Sequence, residues 1–387
     1  MTQEFEDIRP YQDDEVQTVL KRLRADPALL DMVGKARAGG LHERFPGLVR
    51  TATRAYLRWR FARVTTVDEF QQGIAPFVVQ LLENTTTSVT WAGLDNLAPG
   101  RACLFLSNHR DIVSDPAIVN YILYHQSVGT ARIAIGDNLM EDPLVADLMR
   151  LNKSFIVRRN LSNPREMRNT YLNLSAFIHR SVTEGHFVWL AQREGRAKDG
   201  IDRTDPAILK MLYMSQKKTA PDFATAMENL NIVPVSIAYE YDPCDHFKAR
   251  EMEERDRTGT YEKAPGEDVA SIVQGIRGHK GQVHVSFGKP FKGPADTPQE
   301  AAASIDDQIR SQYHLFPSNW MAARKLSAMR DEPFTIPDLP GLDKPRLQAA
   351  SDELDARLAQ CALPLHPYLL ALYANPVYRH PLFANGR

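Results

Sequence analysis

From about residue 100 to about residue 290 the chain repeats one pattern. A short apolar run rich in β-branched and aromatic residues is followed by a polar turn and then by a stretch with helical spacing. The runs are CLFLS (103–107), RIAIG (132–136), KSFIVR (153–158), FVWLA (187–191), NIVPVSIAY (231–239) and QVHVSFG (282–288). Apolar residues at consecutive positions suit strands covered on both faces, and parallel strands need a crossover between them, usually a helix. The intervening stretches supply such crossovers. Met167, Tyr171, Leu174 and Ile178 form one helical stripe that Gly185 ends, while Asp205-Pro206 and Asp115-Pro116 each read as an N-cap with Pro at the first helical position. The pattern predicts an α/β fold, a mostly parallel sheet flanked by helices.

On either side the pattern is helical. DDEVQTVLKRLRAD places Val16, Val19, Leu20 and Leu23 on one face, and further helices are expected from about Pro46 to Val64 and from about Val67 to Asn84. Towards the other end, TPQE (297–300) is a capping box, and Leu347, Ala350, Leu354 and Leu358 line a late helix. The proline-rich DEPFTIPDLPGLDKP separates the two, and the apolar tail LPLHPYLLALYANPVYRHPLF is expected to pack back on the body or to face lipid. These limits predict helical additions over residues 1–92 and 293–387 around an α/β domain over 93–292.

Composition narrows the partners. The formal net charge of −1 gives no bulk attraction to nucleic acid, so none is expected as a partner. Three widely spaced cysteines make neither a disulfide framework nor a zinc site, which fits a reducing cytoplasm. MTQEFEDIRP is acidic and lacks the apolar core of a signal peptide, and no stretch approaches the roughly 20 apolar residues of a membrane span. The expectation is a cytoplasmic protein, soluble or peripheral.

In an open α/β sheet, ligands bind beyond the carboxyl ends of the strands. After CLFLS come Asn108, His109, Arg110, Asp111 and Asp115; after SFIV come Arg158 and Arg159. After FVWLA come Gln192, Arg193, Glu194, Gly195, Arg196 and Lys198; after VPVSIA come Tyr239, Glu240, Tyr241 and Asp242. One crevice gathering these would hold a His–Asp pair among several cations, which suits an anionic, phosphorylated substrate. Each piece has a plainer reading: His109 as a turn residue, Arg158-Arg159 as a solvated pair, REGRAKDG as a charged loop. A metal on His109, Asp111 and Asp115 is not expected, because no second His stands at ligand spacing and the nearby arginines oppose a cation. No G-x-S-x-G elbow, Walker-type loop or G-x-G-x-x-G is present.

Taken in order, these blocks resemble the glycerolipid acyltransferase superfamily, the glycerol-3-phosphate and 1-acylglycerol-3-phosphate acyltransferases. That family carries a His–Asp motif after a strand, usually H-x4-D and often preceded by Asn, which here is Asn108-His109 through Asp115. Its second block ends an apolar strand in arginines, as FIVRR does; its third, of E-G-x-R type, resembles REGRAKDG; its fourth, an apolar strand with a central proline, resembles IVPVSIAYEY with Pro234. The similarity covers roughly residues 95 to 290. The motif here is H-x5-D, so either a turn absorbs the extra residue and Asp115 pairs with His109, or Asp111 takes that role; Asp115 is the expectation and Asp111 the reserve. The third block lacks the usual Thr or Gly between its Gly and Arg.

The resemblance implies a mechanism. His109 is the general base for an acceptor hydroxyl and Asp115 holds its other ring nitrogen. The hydroxyl attacks an acyl thioester on coenzyme A or acyl carrier protein, with no covalent acyl-enzyme and no further cofactor. Arg158, Arg159, Arg196 and Lys198 hold the phosphate of a glycerol phosphate or lysophospholipid, and Glu194 and Gly195 support the third block. The alternatives are a different lysolipid or amino-acid-containing lipid as acceptor, a hydrolase in which His109 activates water, and a non-catalytic lipid-binding protein.

A lipid acceptor or product calls for membrane contact at the inner face. PGLVRTATRAYLRWRFARV holds Arg50, Arg54 and Arg58 on one helical face beside a stripe of Val49, Ala52, Tyr56 and Trp59, with no acid from Pro46 to Val67. Such a basic amphipathic helix suits an anionic lipid surface. The competing reading is an internal helix whose arginines pair with acids elsewhere in the protein.

Overall fold

A computed structural model describes residues 5–159, 161–293 and 295–384. Its strands are β1 (Ser88–Ala92), β2 (Leu104–Ser107), β3 (Arg132–Gly136), β4 (Ser154–Val157), β5 (Val188–Ala191), β6 (Ile232–Tyr239) and β7 (Gln282–Phe287). All six apolar runs form strands, each trimmed by at most one residue at an end. The seventh, β1, lies inside the stretch expected to be helical. Among the described residues it pairs with β7 alone, and it is half-exposed along its length, so it never needed a continuous apolar run.

The chain forms two compact units. The larger comprises Gln80–Thr130 and everything from Val182 onward. Its strands lie in the order β1-β7-β6-β2-β5, parallel except for the antiparallel pair β6 and β7. The central strands are the most apolar: Leu104, Phe105 and Leu106 of β2 and all eight residues of β6 are buried. Because β2, β5 and β6 run parallel, the loops after them leave the sheet at one end; β7, running the other way, ends at the opposite one. The helices Pro317–Met329, Lys344–Ala359 and His366–Arg379 pack into a common cluster through Trp320, Leu326, Leu354, Leu369 and Val377. The apolar tail therefore packs inward.

The smaller unit comprises the chain up to Val79 with Ala131–Ser181. It holds the parallel pair β3–β4 and an N-terminal helical bundle. Helix Asp13–Ala25 buries Val16, Val19, Leu20 and Leu23 against Leu30, Leu57 and Phe61. Helix Pro46–Arg60 buries Val49, Thr53 and Leu57 and leaves Ala52 and Trp59 of the stripe exposed and Tyr56 half-buried. The helix carries apolar residues on two faces, and the face of Val49 and Leu57 turned inward. Among the described residues no helix is long and apolar enough to cross a membrane.

Candidate active site

The turn after β2 is built by side chains that stand in for backbone. Asn108, fully buried, accepts the Ile237 N–H at 2.7 Å and donates to the Ile237 carbonyl at 3.0 Å, tying the turn to β6. Next to it, His109 Nδ1 lies 2.8 Å from Asp115 Oδ2. The same oxygen accepts the backbone N–H of Arg110 at 2.6 Å and of Asp111 at 3.0 Å, and Asp115 Oδ1 accepts the Tyr239 hydroxyl at 2.8 Å. Burial, then the charge of Asp115, pushes the Tyr239 phenol well above its ordinary pKa, so it stays a donor. His109 keeps 14% of its side chain exposed while Asp115 has none, and the imidazole packs edge-on against Trp189 at 5.7 Å.

Asp115 is not the N-cap expected from the Asp-Pro pair. Helix Ser114–His125 begins two residues earlier than that pair implies, and Asp115 sits in its first turn. The covering of its opening N–H groups falls to Asp111, whose Oδ1 accepts from Val113 at 3.1 Å and Ser114 at 2.7 Å. Asp111 thus absorbs the extra residue of the H-x5-D spacing and leaves Asp115 for the imidazole. Burial, then the neighbouring charge of Asp115, raises the pKa of Asp111.

The loop after β5 folds against this turn. Gly195 adopts φ +74°, a left-handed conformation that glycine accepts without strain, and the Ala197 N–H donates to the His109 carbonyl at 2.8 Å. Arg196 is buried, and its Nη1 has no hydrogen-bond partner among the described residues. A buried guanidinium with an unused N–H is the expected state of a group whose partner is a ligand anion. Lys198 differs: its ammonium is bound to Glu251, which also pairs with Arg255 at 2.7 Å. Glu194 is exposed on the same loop.

The structure therefore gathers His109, Asp115, Arg196 and Lys198 in the larger unit. Arg158 and Arg159 follow β4 in the smaller one, where Arg158 pairs with Asp7 at 3.0 Å and the Arg159 N–H donates to Asp137. On helix Pro46–Arg60, Arg50 makes two bonds to Asp31, at 2.5 and 2.6 Å, and Arg54 reaches the Arg24 carbonyl at 3.3 Å. Arg58 is exposed. Tyr239 was visible in the sequence as a polar strand end, but nothing in its spacing pointed to Asp115. Trp189 read only as an apolar strand residue.

Comparison with known proteins bears on this geometry. Residues 88–238 match the acyltransferase family model. Over this stretch the chain is similar to the acyltransferases. The chain is 24% identical over 209 residues to a glycerol-3-phosphate acyltransferase of Pseudomonas syringae pv. tomato, covering 52% of this chain and 22% of that one. It is 25% identical over 196 residues to the enzyme of that name from Pasteurella multocida, covering 50% and 22%. The chain thus spans under a quarter of the length of these relatives. A solved 1-acyl-sn-glycerophosphate acyltransferase from Thermotoga maritima aligns over 76% of this chain and 95% of its own, with 14% identity and a TM-score of 0.36.

Proposed function

We propose that the protein transfers a fatty acyl group from an acyl thioester, on coenzyme A or acyl carrier protein, to a hydroxyl of glycerol 3-phosphate or 1-acylglycerol 3-phosphate in phospholipid synthesis. The observation that carries this reading is the buried, four-donor seat of Asp115 behind a partly exposed His109. With Nδ1 held by Asp115, Nε2 is left to take the acceptor's hydroxyl proton. The oxygen attacks the thioester carbon, the C–S bond breaks, and the leaving sulfur takes the proton back from the imidazolium. Asp115 stabilises that imidazolium, so no acyl-enzyme is needed.

Arg196, with its unused buried N–H, is the first choice for the acceptor's phosphate. Lys198, already bound to Glu251, ranks behind it. The work is done at the inner face of the membrane, reached through helix Pro46–Arg60. The test is transfer of a labelled acyl group from thioester to either acceptor, with His109→Ala and Arg196→Ala as variants. Lipid product lost in His109→Ala, and an acceptor KM raised in Arg196→Ala, are expected. Free fatty acid as the sole product would make the protein a hydrolase, and an unchanged KM would remove Arg196 from the phosphate site.

A further inference from the structure

Helix His366–Arg379 touches two loops that are far from it in sequence, and both flank His109. The first contact runs through Tyr373, which is buried. Its hydroxyl donates to Asp245 Oδ2 at 2.7 Å and accepts the Asp242 N–H at 2.9 Å. The Asp242 carboxylate is bound to the Lys248 ammonium, and Lys248, also fully buried, donates to the backbone carbonyl of Arg110 at 2.7 Å. Arg110 is the residue after His109, and its own N–H holds Asp115. A line of buried hydrogen bonds, running through the Asp242 and Arg110 residues themselves, thus joins Tyr373 to the His–Asp pair.

The second contact runs through Asn375, whose Nδ2 donates to the Asp199 carbonyl at 2.7 Å. Gly200 follows at φ +74°, so close to the helix that a Cβ there would stand 2.1 Å from the Leu372 carbonyl oxygen. This is the loop that carries Arg196. A buried ammonium committed to one backbone carbonyl, and a glycine pressed against a helix backbone, both fix a loop to within a fraction of an ångström.

We propose that helix His366–Arg379 is a positioning element of the active site, Tyr373 seating the loop of His109 and Asn375 seating the loop of Arg196. The inference rests on the roles given above to those two residues. Neither Tyr373 nor Asn375 touches substrate; each acts through the loop it holds. The two arms act on different kinetic constants, since one orients the base and the other the anion site.

The experiment compares Tyr373→Phe and Asn375→Ala in the full chain, by steady-state kinetics and by hydrogen exchange of the unliganded protein. Loss of the two hydrogen bonds of the Tyr373 hydroxyl is expected to lower kcat about fivefold in Tyr373→Phe with acceptor KM unchanged, and loss of the Asn375 bond to raise acceptor KM about fivefold in Asn375→Ala with kcat unchanged. Exchange is expected to quicken over residues 107–115 in the first variant and over 195–203 in the second. Parallel changes in both constants, no change in either, or a uniform rise in exchange across the unit would reduce the helix to scaffolding and overturn the proposal. If the wild-type protein transfers no acyl group, exchange alone decides: the two localised patterns would keep the clamp while the reaction assigned above falls.

Discussion

Replacing Asp115 by Asn separates charge from geometry at the centre of the site. An Asn carbonyl oxygen in the place of Oδ2 still accepts from His109 and from the N–H groups of Arg110 and Asp111, at the 2.6–3.0 Å now seen. The amide nitrogen then faces the Tyr239 hydroxyl, 2.8 Å from the present Oδ1, and a phenol can turn from donor to acceptor. The hydrogen bonds survive and only the negative charge is lost. Opposite charges about 4 Å apart at an effective dielectric near 20 interact by about 4 kcal/mol, so stabilisation of the imidazolium falls by roughly three decades in kcat. Asp111→Asn is the control, since Asn caps a helix as well as Asp does. The folded pKa of Asp111 is raised by burial and by Asp115, so its ionisation costs stability as pH rises from the ordinary carboxylate range through the raised value. Asp111→Asn should therefore keep kcat within a few-fold, raise the thermal midpoint at pH 7, and leave it unchanged below about pH 3. Labelled acyl transfer at saturating substrates, with thermal unfolding alongside, measures both. An Asp111→Asn loss equal to that of Asp115→Asn would refute the division of labour between the two carboxylates.

Three further outcomes are expected. Burial, then the neighbouring His314, draws the His284 pKa down to about 4, so this imidazole stays neutral in the fold. Its contribution is complete above the ordinary His pKa of about 6.5 and is lost as pH falls towards 4; His284→Gln should flatten thermal midpoints across that window, and an unchanged slope would exclude His284 as the cause. Gly275→Ala would place a Cβ 2.1 Å from Asp111 Oδ2, so urea unfolding should show a loss of about 1–3 kcal/mol, and wild-type stability would contradict the packing of helix Glu267–Arg277 on that carboxylate. On helix Pro46–Arg60, Leu48 (67% exposed), Ala52, Ala55 and Trp59 (74% exposed) recur at helical spacing on the outward face. Flotation with anionic vesicles should fall in Leu48→Ser/Trp59→Ser and in Arg54→Glu/Arg58→Glu, and binding that survives both would remove this helix as the membrane contact.

What could be read from the sequence was what local chemistry dictates. Six of the seven strands carry runs of apolar, β-branched or aromatic residues and announced themselves; β1, SVTWA, with no residue fully buried, did not. The His–Asp block and the buried arginine after β5 were legible because strand ends collect ligand chemistry. The work of each carboxylate was not, because an Asp before Pro looks like a cap whether or not another Asp has already covered the helix start. Helix Pro46–Arg60 offers two apolar faces, and its inward face was settled by the complementary surface of helices Asp13–Ala25 and Pro27–Ala38. Lys248, Tyr373 and Asn375 lie on helices whose own periodicity gives no sign of partners more than a hundred residues away.

That distance has a consequence for how the protein is made. His109 and its carboxylate leave the ribosome early, but the hydroxyl of Tyr373 that ends their line of support is synthesised roughly 260 residues later. At about 5–20 residues per second this is a delay of roughly 13–50 s, during which strands β2, β5 and β6 can pair while the loops beyond them have nothing to rest on. The sheet is available to fold as it emerges; the loops around His109 and Arg196 cannot be seated before helix His366–Arg379 arrives.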